Sequence, residues 1–363
     1  MSAAPFIPVN LLTGFLGSGK TTLLHRLLQD PALAGAAVLI NEFGEVGLDH
    51  HLIERIDETT VLLQSGCVCC TIRGELSDAM RELLSRRERG LVPAFDRLVI
   101  ESTGLADPFP ILSTVRADPV LSHHFTLGNV VATVDAVNAA DQFERRPEMA
   151  KQVAAADRIV VTKGDLVAPE AQAALGRHLS ALNPAAAVVD VHDAAWDAGW
   201  LMVESAETED HETHHDHHGG HHAHGHEDGH GHGGHHHHHG HDPNRHGETI
   251  RAFAVTLDRP LDWTGFGIWL SMLLNRHGDR ILRVKGILDL VGETRPVAVH
   301  GVQHLVHPPT HMAAWPTEQR SSRLVFIVDG LSEPRIRASL AAFMALGEPA
   351  MAEGSRPALV EAR

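Results

Sequence analysis

The stretch PVNLLTGFLGSGKTTLLHRLL, residues 8–28, narrows the fold more than any other part of the chain. An apolar run of strand character enters the turn GFLGSGKT, Gly14 to Thr21, and a helical pattern leaves it at once. Strand, then G-x-x-x-x-G-K-[ST], then helix is the phosphate-binding loop of a βα unit. Glycines let backbone N–H groups wrap a phosphate, and the helix start adds unpaired N–H groups and a positive dipole end. Gly14, Gly17, Ser18, Gly19, Lys20, Thr21 and Thr22 are therefore the candidate nucleotide-binding residues. Lys20 would neutralise the β and γ phosphates, which makes it a candidate catalytic residue, and Thr21 would offer its hydroxyl to Mg²⁺.

The rest of the first half repeats the βα theme. Short apolar runs, FIPVNLL, AAVLINEF, TVLLQ, RLVIES, NVVATVD, RIVVTK and AAVVDV, alternate with helical patterns, which predicts a mostly parallel sheet covered on both faces. Residues 21–30 line up Leu23, Leu24, Leu27 and Leu28, and residues 75–88 do the same with Leu76, Met80, Leu83 and Leu84. After the His-rich stretch come strand-like IRAFAVTL, RILRVKGILDLV, PVAVHGVQHLV and RLVFIV, helical WTGFGIWLSMLLNRH and a last helix near 333–346. The expected fold class is α/β, a P-loop domain with a mostly parallel sheet, plus a smaller C-terminal α+β domain. The expected boundaries are 1–205 for the P-loop domain, 206–247 for a disordered His-rich linker, 248–350 for the second domain and 351–363 for a tail.

Three further stretches bear on the nucleotide. VTKGD follows a β-run, and Asp165 there can accept both hydrogens from the N1 and N2 edge of guanine while the Lys163 stem lies along the base. Thr162 stands where most GTPases carry asparagine, which changes one base contact. In LVIESTGLADP, Glu101 ends an apolar strand, where it can hold the Mg²⁺ shell or orient water, and Gly104 can bring its N–H to the γ-phosphate. NEFGEVGLD, Asn41 to Asp49, and the Gly104 stretch read as loops that sense the third phosphate.

All the cysteines of the chain, Cys67, Cys69 and Cys70, fall in LLQSGCVCCTIRGEL. Packing alone gives little reason for such clustering, and the alternatives to metal ligation are a reactive or redox-sensing cluster and inert packing. A turn can converge three thiolates on one ion, and the helix that follows lowers their pKa. Soft donors suit Zn²⁺, or Co²⁺ in the same tetrahedral shape, with a fourth position open to water, to a carboxylate such as Glu45, or to a receiving protein. Residues 211–246 hold 18 of the 30 histidines and almost no apolar side chain. His214, His215, His217, His218, His221, His222, His224, His226, His235, His236, His237, His238 and His239 are candidate auxiliary metal ligands, able to hold ions weakly as a reservoir, the alternative being a solvated spacer. His300, His304 and His307 alternate with apolar residues and read as surface or satisfied histidines.

Composition removes other classes. A formal charge of −16 repels nucleic acid, and 4% aromatic content without tyrosine leaves few platforms for bases. The N-terminus lacks a basic region followed by an apolar run, and no membrane-length apolar stretch occurs, so the chain reads as cytoplasmic with no membrane partner.

Taken in order, GFLGSGKTT, NEFGEVGLD, GCVCC, ESTGLADP, TKGD, the His-rich stretch and RVKGIL resemble the CobW-type metallochaperone GTPases, relatives of the urease and hydrogenase nickel-insertion GTPases. The resemblance implies GTP hydrolysis coupled to metal binding at Cys67, Cys69, Cys70 and Glu45, and a C-terminal CobW-type domain. It also implies delivery of zinc or cobalt to a client metalloprotein or cofactor-assembly protein. A homodimer is compatible with the sequence. Rival readings are cobalt supply to cobalamin synthesis, a metal buffer with vestigial nucleotide binding, and a small-molecule kinase.

Overall fold

The computed structural model describes residues 6–40, 61–64, 72–193, 196–202 and 249–347. In the first domain the strands are β1 Ile7–Gly14, β2 Ala36–Ile40, β3 Val61–Gln64, β4 Arg97–Glu101, β5 Phe125–Asp135, β6 Arg158–Thr162 and β7 Ala187–Asp190. Its helices are α1 Lys20–Leu28, α2 Ile72–Glu88, α3 Pro108–Ala117, α4 Leu121–His124, α5 Ala139–Arg145, α6 Pro147–Ala155, α7 Pro169–Leu182 and α8 Ala198–Met202. The seven strands form one sheet in the order β3-β2-β4-β1-β5-β6-β7, parallel at every pairing.

Why both faces are covered is visible within β4. Leu98 and Ile100 face the cluster built with Leu76, Met80, Leu83 and Leu84 of α2, whereas Val99 faces the cluster of Leu23, Leu24 and Leu27 of α1. Strand alternation thus sends successive apolar residues to opposite helices. Each fully buried side chain of this size stabilises the fold by roughly 1.5–3 kcal/mol. The seven runs read as strands all form strands, and β5 begins earlier, at Phe125, because Phe125 and Leu127 are also buried.

The second sheet is antiparallel, in the order β11-β10-β9-β13-β8 with β12 on β10. Its strands are β8 Ile250–Leu257, β9 Ile281–Leu288, β10 Val297–Val302, β11 Leu305–Val306, β12 Thr310–His311 and β13 Ser322–Asp329. The run PVAVHGVQHLV, read as one strand, is a hairpin, turned at Gln303 with φ 50°. Helices α9 Trp263–His277 and α10 Glu333–Gly347 cover one face through Phe266, Trp269, Leu274, Ile336 and Leu340.

The other face meets the first domain. Leu282 and Ile327 join a core cluster with Met149, Val153 and Leu179 from α6 and α7. Opposite Ile327 and Val328, β9 shifts register so that Leu282 has no partner on β13. Such a bulge re-aims side chains, and here Leu282 and Arg283 both meet the first domain. Buried Arg283 donates to Ala155 O at the end of α6 and pairs with Asp157. Lys285 Nζ reaches Ala185 O at 3.4 Å. His304 fits the reading of a surface histidine, bonded to Asp279 Oδ1 at 2.9 Å. His300 and His307 are instead partly buried on the domain junction, their rings 6.3 Å apart.

Candidate nucleotide site

Central β1 has β4 on one side and β5 on the other, so its carboxyl end opens onto the crevice where a doubly wound sheet binds ligands. Gly14 ends the strand at φ 139°, and a Cβ there would stand 2.3 Å from Thr133 Oγ1. Only glycine fits that approach. Ser18 Oγ and Thr133 Oγ1 share a hydrogen bond of 2.6 Å, which ties the loop to β5. Gly19, at φ 87°, leads into α1 and leaves the first N–H groups of the helix facing the loop. Buried Lys20 lies over the loop, Nζ donating to Gly14 O at 3.0 Å and Phe15 O at 3.2 Å. Thr22 lies exposed on the same first turn.

On the β4 side, Thr21 Oγ1 donates to Glu101 Oε1 at 2.7 Å, and Glu101 is 4% exposed. A hydroxyl and a carboxylate converging from two elements are hard oxygen donors, the kind Mg²⁺ takes, so these residues fit that ion. The following loop is pinned to β1 by Ser102, whose N–H donates to Leu12 O at 2.9 Å and whose Oγ donates to Thr13 Oγ1 at 3.0 Å. Buried Gly104 lies against the phosphate loop, where a Cβ would stand 2.5 Å from Leu16 N.

On the β6 side, Thr162 Oγ1 donates to Ser18 O at 2.8 Å, so the threonine in the asparagine position clamps the phosphate loop. Lys163 adopts φ 57°, and its Nζ donates to Gly17 O at 3.0 Å and to Asp135 Oδ2 at 2.7 Å. Asp135 is 1% exposed and also accepts from Asn138 Nδ2 and from Val137 N–H. Burial alone would raise its pKa, but the bonds from Lys163, Asn138 and Val137 and the charge of Lys163 hold it below the usual carboxylate range. Asp165, 58% exposed at its side chain, lies with Oδ1 3.4 Å from His192 Nε2.

Glu45, Cys67, Cys69, Cys70 and the histidines of 211–246 lie outside the described residues. Among the described residues, no three His, Cys, Asp or Glu side chains gather as a metal site, and no helix is long and apolar enough to cross a membrane. The ends of the neighbouring strands are informative. Ile40 pairs with both Gln64 and Glu101, and Glu101 pairs with Leu12, so β2, β3 and β4 end at the same edge of the sheet at which β1 enters the phosphate loop.

Asp135, Thr133 and Gln152, which anchors the Gly104 loop, were not among the residues singled out from sequence. Asp135 carried a signal: it ends the apolar run NVVATVD just as Glu101 ends the run RLVIE. Thr133 and Gln152 carried none, since a threonine within a strand and a glutamine in an alanine-rich helix are ordinary.

A base loop clamped onto a phosphate loop, with a strand-end acid on the loop's threonine, defines a P-loop GTPase. The family model described as the CobW/HypB/UreG nucleotide-binding domain matches residues 8–190, and that of the cobalamin synthesis protein cobW C-terminal domain matches residues 250–344. The chain belongs to the CobW family. It is 36% identical over 335 residues to the zinc chaperone YjiA of Escherichia coli, covering 92% of this chain and 98% of that one. The zinc chaperone CobW of Pseudomonas aeruginosa is 30% identical over 362 residues, covering 91% and 89%. The crystal structure of Zn(II)-bound YjiA GTPase from E. coli superimposes with a TM-score of 0.65 at 33% identity, covering 94% of this chain and 99% of that one.

Proposed function

We propose that this protein is a GTP-hydrolysing metallochaperone that binds Zn²⁺ at Cys67, Cys69 and Cys70, with Glu45 as a further ligand, and hands it to a client metalloprotein in a nucleotide-dependent way. The single observation that carries the reading is the common edge of β1, β2, β3 and β4. The segment with the thiolates and the loops that would read the third phosphate all start there, so a loop ordered by γ-phosphate can reshape the thiolate site. The names of the relatives, zinc chaperones, agree with the soft donor set. Co²⁺ remains a second cargo, because thiolates discriminate poorly among late first-row ions.

Within the nucleotide site, Lys20 neutralises the phosphates and Asp165 reads guanine, with Lys163 ordering the loop between them. Thr21 and Glu101 would hold Mg²⁺, which when bound would supply neutralisation of phosphate charge. The histidines of 211–246 would keep metal close to the thiolates.

The test is a competitive Zn²⁺ and Co²⁺ titration of a chain lacking residues 211–246, loaded in turn with GDP and with a non-hydrolysable GTP analogue. A nucleotide-dependent affinity that vanishes in Cys69→Ala is the expected result. Equal affinities in both nucleotide states would leave a metal store with an uncoupled GTPase.

A further inference from the structure

The loop that leaves β4, residues 101–107, is gripped by α6. Gln152 is 1% exposed, and its Nε2 donates to Gly104 O and to Ala106 O, each at 3.1 Å. Two carbonyl acceptors fix which end of the amide carries nitrogen. One residue earlier, Lys151 Nζ lies 3.5 Å from Asp107 Oδ2, and Asp107 caps α3 through Phe109 N–H at 3.0 Å. One turn of α6 therefore holds Gly104, Ala106 and Asp107. The far side of the loop is closed by Leu16, whose backbone leaves no room for a Cβ at Gly104.

The grip is rigid because the helix is itself held. Asn183 Nδ2 donates to Val153 O at 2.8 Å and Ala156 O at 2.9 Å, and Arg283 of the second domain donates to Ala155 O. Packing alone gives an incomplete reason for a glutamine here. Its Oε1 is buried with no hydrogen-bond partner among the described residues, so the two Nε2 bonds to the loop are what the buried amide gains. What the amide does accomplish is to fix the carbonyl of Gly104, in the loop expected to sense the third phosphate.

Resting on the GTPase reading of this site, we propose that Gln152 is a positioning residue for GTP hydrolysis, acting through the Gly104–Ala106 backbone rather than on the nucleotide. A loop displaced by about 1 Å can cost on the order of 100-fold in rate without altering how the ground state binds.

The experiment compares wild type, Gln152→Met and Gln152→Glu in the full chain with saturating Mg²⁺, reading kcat and KM for GTP, Kd for GDP and the thermal midpoint. The expected result for Gln152→Met is a kcat lowered about 10- to 100-fold, with KM and GDP Kd within about 2-fold of wild type, while the midpoint falls because Gly104 O loses its buried donor. Gln152→Glu, which sets a carboxylate against two carbonyls, loses at least as much kcat and serves if the methionine variant fails to fold. A kcat within about 2-fold of wild type in both variants would overturn the proposal. So would a loss shared by KM and GDP affinity in proportion to kcat, the mark of a purely structural residue. Wild type that hydrolyses no GTP would instead sink the GTPase reading before any variant is compared.

Discussion

Thr21 Oγ1 and Glu101 Oε1, 80 positions apart in the chain, meet at 2.7 Å where the first turn of α1 faces the end of β4. The strand register brings them together: Leu12 pairs with Glu101, and the phosphate loop begins two residues later, at Gly14. A strand-end acid set on the phosphate-loop threonine brings together two hard oxygen donors, the pair proposed to hold Mg²⁺.

Glu101→Gln keeps the shape of that contact and removes its charge. GTP hydrolysis is expected to fall at least about 100-fold, with the Mg²⁺ concentration for half-maximal rate raised and metal-free GDP binding little changed. Phosphate release measured across a Mg²⁺ titration decides the matter. An unchanged Mg²⁺ requirement would move the ion elsewhere.

Gly104→Ala tests the close approach of two loops. The added Cβ would meet the Leu16 backbone at 2.5 Å for N and 2.7 Å for Cα, and backbone cannot swing aside as a flexible side chain can. Overpacking of this kind costs about 1–3 kcal/mol. The variant should lose both thermal stability and GTP turnover. A melting curve and turnover matching wild type would mean that the loop yields freely.

Local patterns were readable wherever the contact partner was implied by periodicity. Leu98, Val99 and Ile100 announced a strand buried on both faces, and the phosphate loop announced its own strand and helix. Contacts between distant segments were not. Nothing near Arg283 in RVKGIL names Asp157, 126 residues earlier, and nothing near Lys163 names Asp135, 28 residues earlier. The hairpin at Gln303 was missed for a local reason: its positive φ is carried by glutamine, without the glycine or asparagine that normally marks such a turn. The thiolates and Glu45 were legible as chemistry in the sequence, and they lie outside the described residues.

Asp165→Asn exchanges a double acceptor for a side chain with one donor and one acceptor. Guanine, which presents two donors, should bind about 100-fold more weakly, whereas xanthine, with a carbonyl in place of the 2-amino group, gains a partner. Competition of GTP and XTP for a fluorescent nucleotide reads the switch directly. Equal losses for both nucleotides would mean that Asp165 orders the loop rather than reading the base.

Acid should loosen the domain junction through two histidines. Burial first, then the charges of Lys285 and Arg283 against an opposing pull from Asp157, lowers His300 to about 3. Burial likewise lowers His307 to about 4, Asp157 again opposing and Arg283 and Arg116 assisting. Both imidazoles are thus neutral in the folded protein, while the unfolded chain takes up protons near pH 6.5. Their contribution is complete above that pH and declines as pH falls toward the folded values, by on the order of 2 kcal/mol for each between pH 6.5 and 5. Asp157 acts in a lower window. Burial would raise its carboxyl, but Arg283, Lys285 and the Val130 N–H outweigh it and hold it well below the usual range. Its contribution is therefore present above its unfolded pKa, near 4, and is lost only below it. Thermal midpoints recorded from pH 7 to 5 should drop in wild type and flatten in the double variant His300→Gln, His307→Gln. Parallel slopes for the two proteins would show that these rings take up protons in the folded state as readily as in the unfolded one.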